Sequence, residues 1–142
     1  MRSQTVKRLD GREENAAAVT VLLVDDQPIW RGSVRSMLDD TEFEVVGEAG
    51  TRKEALETAH RVCPQLTLMN IRMANGNQFQ TLSRLKQEHP HMDVVMLAPY
   101  DSPSLVAQAI ARGATGYLVK GIDREHLLAT LRSASRHRRH AL

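Results

Sequence analysis

Three kinds of polar side chain stand at the ends of separate apolar runs in this chain. Asp25 and Asp26 come directly after one run, Asn70 ends a second, and Lys120 follows a third. Adjacent carboxylates repel each other and are stabilised by a shared cation, and a hard divalent ion such as Mg²⁺ prefers oxygen ligands of this kind. An acidic pair is also common in a solvated turn before a helix, and a single lysine is usually an exposed amine. Spacing alone therefore leaves two interpretations open, a cation site and a polar turn.

The elements that must position these residues follow from the hydrophobic pattern, in which short apolar runs alternate with longer amphipathic stretches. The predicted strands are Val19 to Val24, Phe43 to Glu48, Gln65 to Ile71, Asp93 to Leu97 and Thr115 to Val119. The predicted helices are Pro28 to Leu38, Thr51 to Val62, Gln78 to Glu88, Ser102 to Arg112 and Asp123 to about His137. The strands are too apolar for either face of the sheet to be exposed to solvent. The pattern therefore predicts an α/β fold, a doubly wound (βα)5 arrangement around a parallel sheet.

In such sheets, ligands bind where the carboxyl ends of the strands meet. The first polar residues after the strands are therefore expected to lie at one edge of the sheet. Ala98 follows the fourth strand and joins Asp25, Asp26, Asn70 and Lys120 in this predicted group. The architecture favours the site interpretation over the polar turn.

Length and composition exclude several classes of protein. The chain has 142 residues, which predicts one domain, and no apolar run approaches the roughly 18 residues that a membrane span requires. The polar segment before Val19 resembles neither a signal peptide nor a transit peptide. Cys63 is the single cysteine, so an internal disulfide is impossible. These features predict a cytoplasmic protein without a membrane partner.

The net charge of +2 is distributed unevenly. Residues 20–121 carry 10 Lys and Arg against 12 Asp and Glu, whereas residues 122–142 carry 5 against 2. Duplex DNA is bound by clustered Lys and Arg, and the predicted folded body has no such excess. Contact with DNA is therefore expected only through a domain that is not part of this chain.

Four blocks of sequence resemble the motifs of a bacterial two-component response-regulator receiver domain. The blocks are Val24-Asp25-Asp26, Leu68 to Met73, Val94 to Ala98 and Gly113 to Lys120. They occur in order and with the expected spacing across about residues 19 to 137, so the match is far more specific than any single block. The last block is most similar to the NarL/LuxR-type subfamily, since Gly121 replaces the proline that commonly follows the lysine.

The resemblance implies a flavodoxin-like sheet with strand order 2-1-3-4-5. It also implies three segments: a flexible N-terminal extension over residues 1–18, a receiver-like domain over 19–137, and a basic tail or the start of a linker over 138–142. In the subfamily, a helix-turn-helix DNA-binding domain follows such a linker. For the receiver itself, the resemblance implies that it forms a homodimer or binds a protein partner.

Asn70 stands where the family has the aspartate that accepts a phosphoryl group from a histidine kinase. In that family the acidic pair, here Asp25 and Asp26, holds the Mg²⁺ that assists the transfer. A neutral amide is neither an effective nucleophile nor an effective metal ligand. The resemblance therefore predicts a degenerate acceptor position and no enzymatic activity, and it leaves Mg²⁺ possible but weakly bound.

One further position and one loop depart from the family pattern, while two other family positions are retained. Ala98 replaces the Thr or Ser whose hydroxyl binds the phosphoryl group and couples it to an aromatic residue on the fifth strand. Tyr117 occupies that aromatic switch position, where two arrangements stay open: a ring that turns inward beside the small Ala98, and a ring at the strand edge with its hydroxyl in water. The loop after Asn70 lacks the usual Pro-Gly, since it reads Ala74 to Gln78 without a proline. Lys120, at the family's lysine position, is expected to pair with one carboxylate of the acidic pair.

Together these features predict a phosphorylation-independent pseudo-receiver that acts in signal transduction through protein contacts or dimerisation. The predicted partner face consists of Leu105, Ala109, Tyr117, Leu127 and Leu131. One alternative is a conventional receiver with an engineered Asp-to-Asn change, which would explain Asn70 but neither Ala98 nor the altered loop. Another is a doubly wound domain that binds a small molecule in the crevice at the strand ends.

Overall fold

A five-stranded parallel sheet lies between two layers of helices in the computed structural model, which describes residues 6–7, 13–14 and 18–136. The strands are β1 (Val19–Val24), β2 (Phe43–Ala49), β3 (Leu66–Asn70), β4 (Asp93–Ala98) and β5 (Gly116–Val119). The helices are α1 (Pro28–Met37), α2 (Arg52–Val62), α3 (Phe79–Glu88), α4 (Pro103–Ala111) and α5 (Arg124–Ala134). The sheet order is β2-β1-β3-β4-β5, with every pairing parallel, so the predicted fold class and strand order are confirmed.

The two faces of the sheet bury different residues, because side chains alternate along a strand. Val21 and Leu23 of β1 belong to a core that includes Leu131 of α5 and residues of α1. Leu22 lies between them in sequence and belongs to the opposite core, with Leu82 of α3 and residues of α2. Burial on both faces is the reason that β1 is almost continuously apolar.

Side chains at the helix starts fix the loops that leave the strand ends. Thr51 accepts a hydrogen bond from the backbone N–H of Glu54 at 3.1 Å, and the Glu54 carboxylate accepts one from the N–H of Gly50 at 2.8 Å. Ser102 directly before α4 and Asp123 directly before α5 make the same kind of side-chain cap. Such caps satisfy N–H groups that the helix itself leaves unpaired.

The segments outside the main sheet add two short antiparallel pairings. In the loop after β3, Arg72–Met73 pairs with Gly76–Asn77, a hairpin that the sequence pattern did not predict. Within the predicted flexible extension, Val6–Lys7 pairs with Glu13–Glu14. The predicted basic tail at 138–142 lies outside the described residues. In the described part of the chain, no helix is long and apolar enough to cross a membrane.

Candidate functional site

Backbone pairing brings the predicted group of strand-end residues to one edge of the sheet. Asn70 is the last residue of β3 and lies opposite Leu97 of β4. The Lys120 backbone N–H donates to the carbonyl of Ala98 at 2.8 Å, and the Asp25 N–H donates to the carbonyl of the last β2 residue at 2.9 Å. Asp25, Asn70 and Ala98 are all buried there. The parallel register therefore assembles residues that are up to 95 positions apart in sequence.

Asp25 is the centre of this group and is only 2% exposed. Its Oδ1 accepts a hydrogen bond from the backbone N–H of Gln27 at 3.0 Å, and the Asn70 amide nitrogen approaches the same oxygen at 3.4 Å. Its Oδ2 lies 2.9 Å from the ammonium nitrogen of Lys120. No well-aligned hydrogen bond reaches this second oxygen, so its contact with Lys120 is chiefly Coulombic. Both oxygens of Asp25 therefore face donors that belong to the protein.

Lys120 is held from three directions. Its ammonium nitrogen lies 2.9 Å from Asp25 Oδ2, donates a hydrogen bond to Gln27 Oε1 at 2.9 Å, and stands 5.3 Å from the centroid of the Trp30 ring. An ammonium group over an indole face is attracted by the ring quadrupole. The lysine side chain is 17% exposed. These contacts place the positive charge inside the group of strand-end residues.

Asn70 acts as a hydrogen-bond donor in this arrangement. Its amide nitrogen points to Asp25, and its carbonyl oxygen accepts a hydrogen bond from the backbone N–H of Arg72 at 3.3 Å. An ionised aspartate at the same place would be an acceptor only and would face Asp25 as a like charge. The amide therefore allows a close approach that a carboxylate would oppose.

Asp26 turns away from its neighbour. Its Oδ2 accepts a hydrogen bond from the backbone N–H of Ala74, in the hairpin after β3, at 2.6 Å. The adjacent carboxylates thus interact with different groups, Asp25 with Lys120 and Asp26 with the hairpin. This separation relieves the repulsion between them without a shared ion.

The Mg²⁺ that a receiver-like fold implies does not fit the side chains as they are arranged. The ion would need free oxygens from Asp25, Asp26 and position 70. Asp25 faces an ammonium group and Asn70 turns its nitrogen inward. Among the described residues, no three His, Cys, Asp or Glu side chains are arranged to hold a metal ion.

A group of charged side chains behind Asp25 was not predicted from the sequence. The Arg31 guanidinium donates to the backbone carbonyl of Asp25 through Nη1 and to Glu48 Oε1 through Nε at 3.0 Å. Arg35 donates to the other oxygen of Glu48 at 2.8 Å. Partial burial opposes ionisation of Glu48, but the hydrogen bonds from Arg35 and Arg31 outweigh it and lower the pKa of Glu48. The spacing of the two arginines, i and i+4 on one helix, was the only available signal, and it does not identify Glu48.

Gln27 and Trp30 were likewise not predicted as site residues. Gln27 is the residue before α1, and its side chain makes no cap for that helix. Trp30 is half-buried, and its indole nitrogen has no hydrogen-bond partner among the described groups. A cavity of about 10 Å³ beside Trp30 and Asp25 has room for at most one water molecule.

Of the two arrangements expected for Tyr117, the structure has the ring at the exposed edge of the sheet and not the inward one. The side chain is 37% exposed, whereas its neighbour Leu118 is buried. Successive residues of a strand face opposite sides, and β5 is an edge strand, so the face that carries Tyr117 is open at the sheet margin. Ala98 is 1% exposed.

Three residues of the predicted partner face are core residues. Ala109, Leu127 and Leu131 are 0%, 2% and 0% exposed, because α4 and α5 turn these side chains toward the sheet. They cannot contact another chain in this fold. Leu105 is half-buried and Tyr117 is exposed. Ile110, which like Leu105 belongs to α4, is 58% exposed.

Residues 21–132 match the family model of the response regulator receiver domain. The nitrate/nitrite response regulator protein NarL of Escherichia coli strain K12 is 32% identical over 122 residues, which are 85% of this chain and 56% of NarL. The nitrate/nitrite response regulator protein NarP of the same strain is 34% identical, over 85% of this chain and 57% of NarP. The chain therefore spans little more than half the length of these relatives.

Solved structures give the same result. The signal receiver domain of the putative response regulator NarL from Mycobacterium tuberculosis superposes with a TM-score of 0.75 at 30% identity, covering 83% of this chain and 97% of that one. The chemotaxis protein CheY4 of Vibrio cholerae superposes with a TM-score of 0.76 at 29% identity, covering 82% and 98%. The similarity extends over the whole sheet and its helices.

Proposed function

Because the chain belongs to the response regulator receiver domain family, with NarL and NarP among its relatives, we propose that it is a receiver that works without phosphorylation. One observation carries this proposal. At the end of β3, Asn70 presents an amide that donates toward Asp25 instead of a carboxylate that could accept a phosphoryl group. We further propose that residues 18–136, which carry no excess of Lys and Arg over Asp and Glu, do not bind DNA directly.

The chemistry of phosphoryl transfer supports this proposal. The acceptor must attack phosphorus through an anionic or activated oxygen, and the lone pairs of an amide are delocalised and neutral. Ala98 has no hydroxyl with which to bind a phosphoryl oxygen. Lys120, which could stabilise a phosphoryl group, is already engaged by Asp25 and Gln27. The site lacks the nucleophile and the free donors that the reaction needs.

A protein contact is the output that we propose for such a domain, and the exposed side of α4 is its site. The sequence of α4, from Pro103 to Ala111, contains no charged residue, yet only Ala109 is buried. Ile110 of α4 and Tyr117 of β5 are both large exposed apolar side chains. Exposed apolar patches commonly mark interaction surfaces. A second copy of this chain is the proposed occupant, consistent with an uncharged helix that would create no charge repulsion in a symmetric dimer.

Acetyl phosphate with Mg²⁺ tests the phosphorylation claim directly, since it is a small phosphoryl donor that needs no kinase. We expect the intact mass of the wild-type chain to remain unchanged after incubation. The Asn70→Asp variant is the matched comparison, because it restores the carboxylate and changes nothing else. A conventional receiver in the same buffer verifies that the reagent is active.

The expected pattern is labelling of the conventional receiver, partial labelling of Asn70→Asp and none of the wild type. Labelling of Asn70→Asp stays partial because Ala98 still lacks the hydroxyl, and the double variant with Ala98→Thr should be labelled further. A phosphoryl group on the wild-type chain would refute the proposal.

A further inference from the structure

We propose that Asn75 is a modification site, at which the side chain loses ammonia to give aspartate and isoaspartate, and that isoaspartate weakens the contact of Asp26 with the hairpin after β3. Of the four asparagines in the chain, only Asn75 precedes a glycine. A glycine has no side chain to obstruct the approach of its backbone nitrogen to the preceding side chain. The proposed function does not use this pair, so the inference goes beyond it.

The reaction is an intramolecular substitution at the Asn75 amide. Hydroxide removes the proton from the backbone nitrogen of Gly76, which then forms a bond to Asn75 Cγ, while the bond from Cγ to the amide nitrogen breaks. The amide nitrogen takes a proton from water and leaves as ammonia. Water then opens the cyclic imide at either of its carbonyl groups, which gives aspartate or isoaspartate without any oxidant or reductant.

The hairpin makes the reacting groups accessible. Asn75 is exposed and Gly76 is half-buried, and a Cβ atom added at Gly76 would meet no atom within 4 Å. There is therefore space for the tetrahedral intermediate. The pairing of Arg72–Met73 with Gly76–Asn77 is only two residues long on each side, and so short a ladder opens readily. The Gly76 nitrogen can then react with hydroxide.

Gln78 is the positioning residue for this reaction. Its Nε2 donates hydrogen bonds to Asn75 Oδ1 at 3.0 Å and to the backbone carbonyl of Gly76 at 3.0 Å. Gln78 is only 3% exposed, and its Oε1 accepts a hydrogen bond from the Thr81 hydroxyl at 2.8 Å, which fixes the direction of its amide. Asn75 Oδ1 becomes negatively charged when the nitrogen attacks Cγ. A donor already placed at this oxygen stabilises that charge.

Two other asparagines in the described part of the chain lack these conditions. Asn70 is buried, and the nitrogen that would attack it belongs to Ile71, whose N–H donates to the carbonyl of Leu97 at 2.7 Å. Asn77 is exposed, but the N–H of Gln78 donates to the carbonyl of Ile71 at 2.7 Å. Because hydrogen bonds hold both nitrogens, Asn70 and Asn77 serve as internal controls.

Isoaspartate would affect the acidic pair through Ala74. The Asp26 carboxylate accepts a hydrogen bond at 2.6 Å from the backbone N–H of Ala74, the residue before Asn75. Isoaspartate adds a methylene group to the backbone, which disrupts the pairing of Met73 with Gly76. Aspartate leaves the backbone unchanged. Only the isoaspartyl form should therefore free Asp26 from the hairpin.

The experiment incubates the folded chain at neutral and at alkaline pH and follows each asparagine by peptide mass spectrometry. We expect Asn75 to deamidate at least about tenfold faster than Asn70 and Asn77, and faster at the higher pH because the attacking nitrogen must lose its proton. Asn75→Gln, which keeps an amide at the exposed position, should show no change there. Equal rates at the three asparagines, or a rate at Asn75 that does not rise with pH, would overturn the inference.

Gln78→Met tests the positioning role. Loss of the donor should slow deamidation at Asn75 by about threefold to tenfold. Gln87→Met, at an exposed position of α3, is the matched control and should leave the rate unchanged. Thr81→Val, which removes the hydrogen bond that orients Gln78, is the second variant and should slow the reaction by less. Circular dichroism establishes that each variant is folded, and an equal or faster rate in both would contradict the role of Gln78.

Hydrogen exchange of the Ala74 amide tests the connection to Asp26. The isoaspartyl form is separated by chromatography, and its Ala74 amide should exchange at least about tenfold faster than in the unmodified chain. Asn75→Asp is the matched comparison and should exchange at a rate close to that of the unmodified chain. Equal exchange in the isoaspartyl and unmodified forms would refute the effect on Asp26.

Discussion

At the scale of single residues, Asn70 differs from an aspartate by one nitrogen in place of an oxygen, and this nitrogen sets its contact with Asp25. Asparagine and aspartate have almost the same shape, but only the amide has protons to donate. In this chain the amide of Asn70 approaches Asp25, and Lys120 approaches the same carboxylate from the other side. The buried carboxylate of Asp25 therefore lies between an amide and an ammonium group, and both offset the cost of burying its charge.

Glu48 allows a prediction of pH dependence at this scale. Its pKa is below the ordinary value of 4.5, because hydrogen bonds from Arg35 and Arg31 outweigh the effect of burial. A carboxyl group with a lowered pKa in the folded state contributes stability above its unfolded pKa, and this is lost as the pH falls through the folded pKa. We expect Glu48→Gln to lower the free energy of unfolding by about 0.5 kcal/mol at neutral pH, because the pair is partly exposed.

The measurement is urea-induced unfolding of the wild type and Glu48→Gln at neutral pH and at a pH well below 4.5. The difference between the two proteins should disappear in acid. Glu57→Gln, at an exposed position of α2, is the control and should show a much smaller difference at neutral pH. A deficit of Glu48→Gln that persists unchanged in acid would contradict an electrostatic origin.

At the scale of elements, the contact of α2 with β2 depends on a residue without a side chain. A Cβ atom added at Gly47 would lie 2.7 Å from the Thr58 methyl group and 3.4 Å from Leu22 Cδ1. Both neighbours are buried, so neither can move aside freely. The helix approaches the sheet closely because Gly47 leaves this space.

Two glycine-to-alanine substitutions test this packing with opposite expected signs. Gly47→Ala should lower the free energy of unfolding by about 1–3 kcal/mol, because it overpacks the interface of α2 and β2. Gly32→Ala, on an exposed face of α1 with no atom within 4 Å of the new Cβ, should raise it by about 1 kcal/mol. Urea-induced unfolding measures both changes. An equal effect of the two substitutions would show that backbone entropy, and not packing, determines the result at Gly47.

At the scale of the whole molecule, the charge distribution does not favour DNA as a partner, whereas the exposed apolar surface favours another protein. The folded part of the chain carries no excess of basic residues, which gives no support to direct DNA binding. The uncharged exposed side of α4 is instead the surface that we propose for contact with another protein. This is why we place the proposed output of the domain in a contact between two copies.

A charged residue in that surface should prevent dimerisation. We expect Ile110→Glu to raise the dissociation constant of the dimer at least about tenfold, because burial of an unpaired carboxylate in an interface is costly. Ile29→Glu is the matched control, since Ile29 is 88% exposed on α1, across the sheet from α4. Sedimentation equilibrium measures both. A monomeric wild type at all concentrations, or equal weakening by Ile29→Glu, would contradict the proposed interface.

The amino-acid sequence was sufficient to predict the architecture and the location of the candidate site. Apolar runs buried on both faces indicate a parallel sheet, and in a parallel sheet the strand ends must meet at one edge. The approximate element boundaries, the strand order and the grouping of Asp25, Asn70, Ala98 and Lys120 follow from this regularity together with the family resemblance. All of these features depend on the hydrophobic periodicity and on the order of the elements along the chain, and both can be read from the sequence.

The identity of the interacting groups and the accessibility of each side chain became known only from the three-dimensional arrangement of the elements. Lys120 contacts Asp25 rather than Asp26, and the choice depends on where Gln27 and the hairpin after β3 place their own polar groups. Leu127 and Leu131 lie in the core although their spacing suited a surface as well, because an amphipathic helix does not state which of its faces meets the sheet. Contact depends on distances between elements, and a linear pattern does not contain those distances.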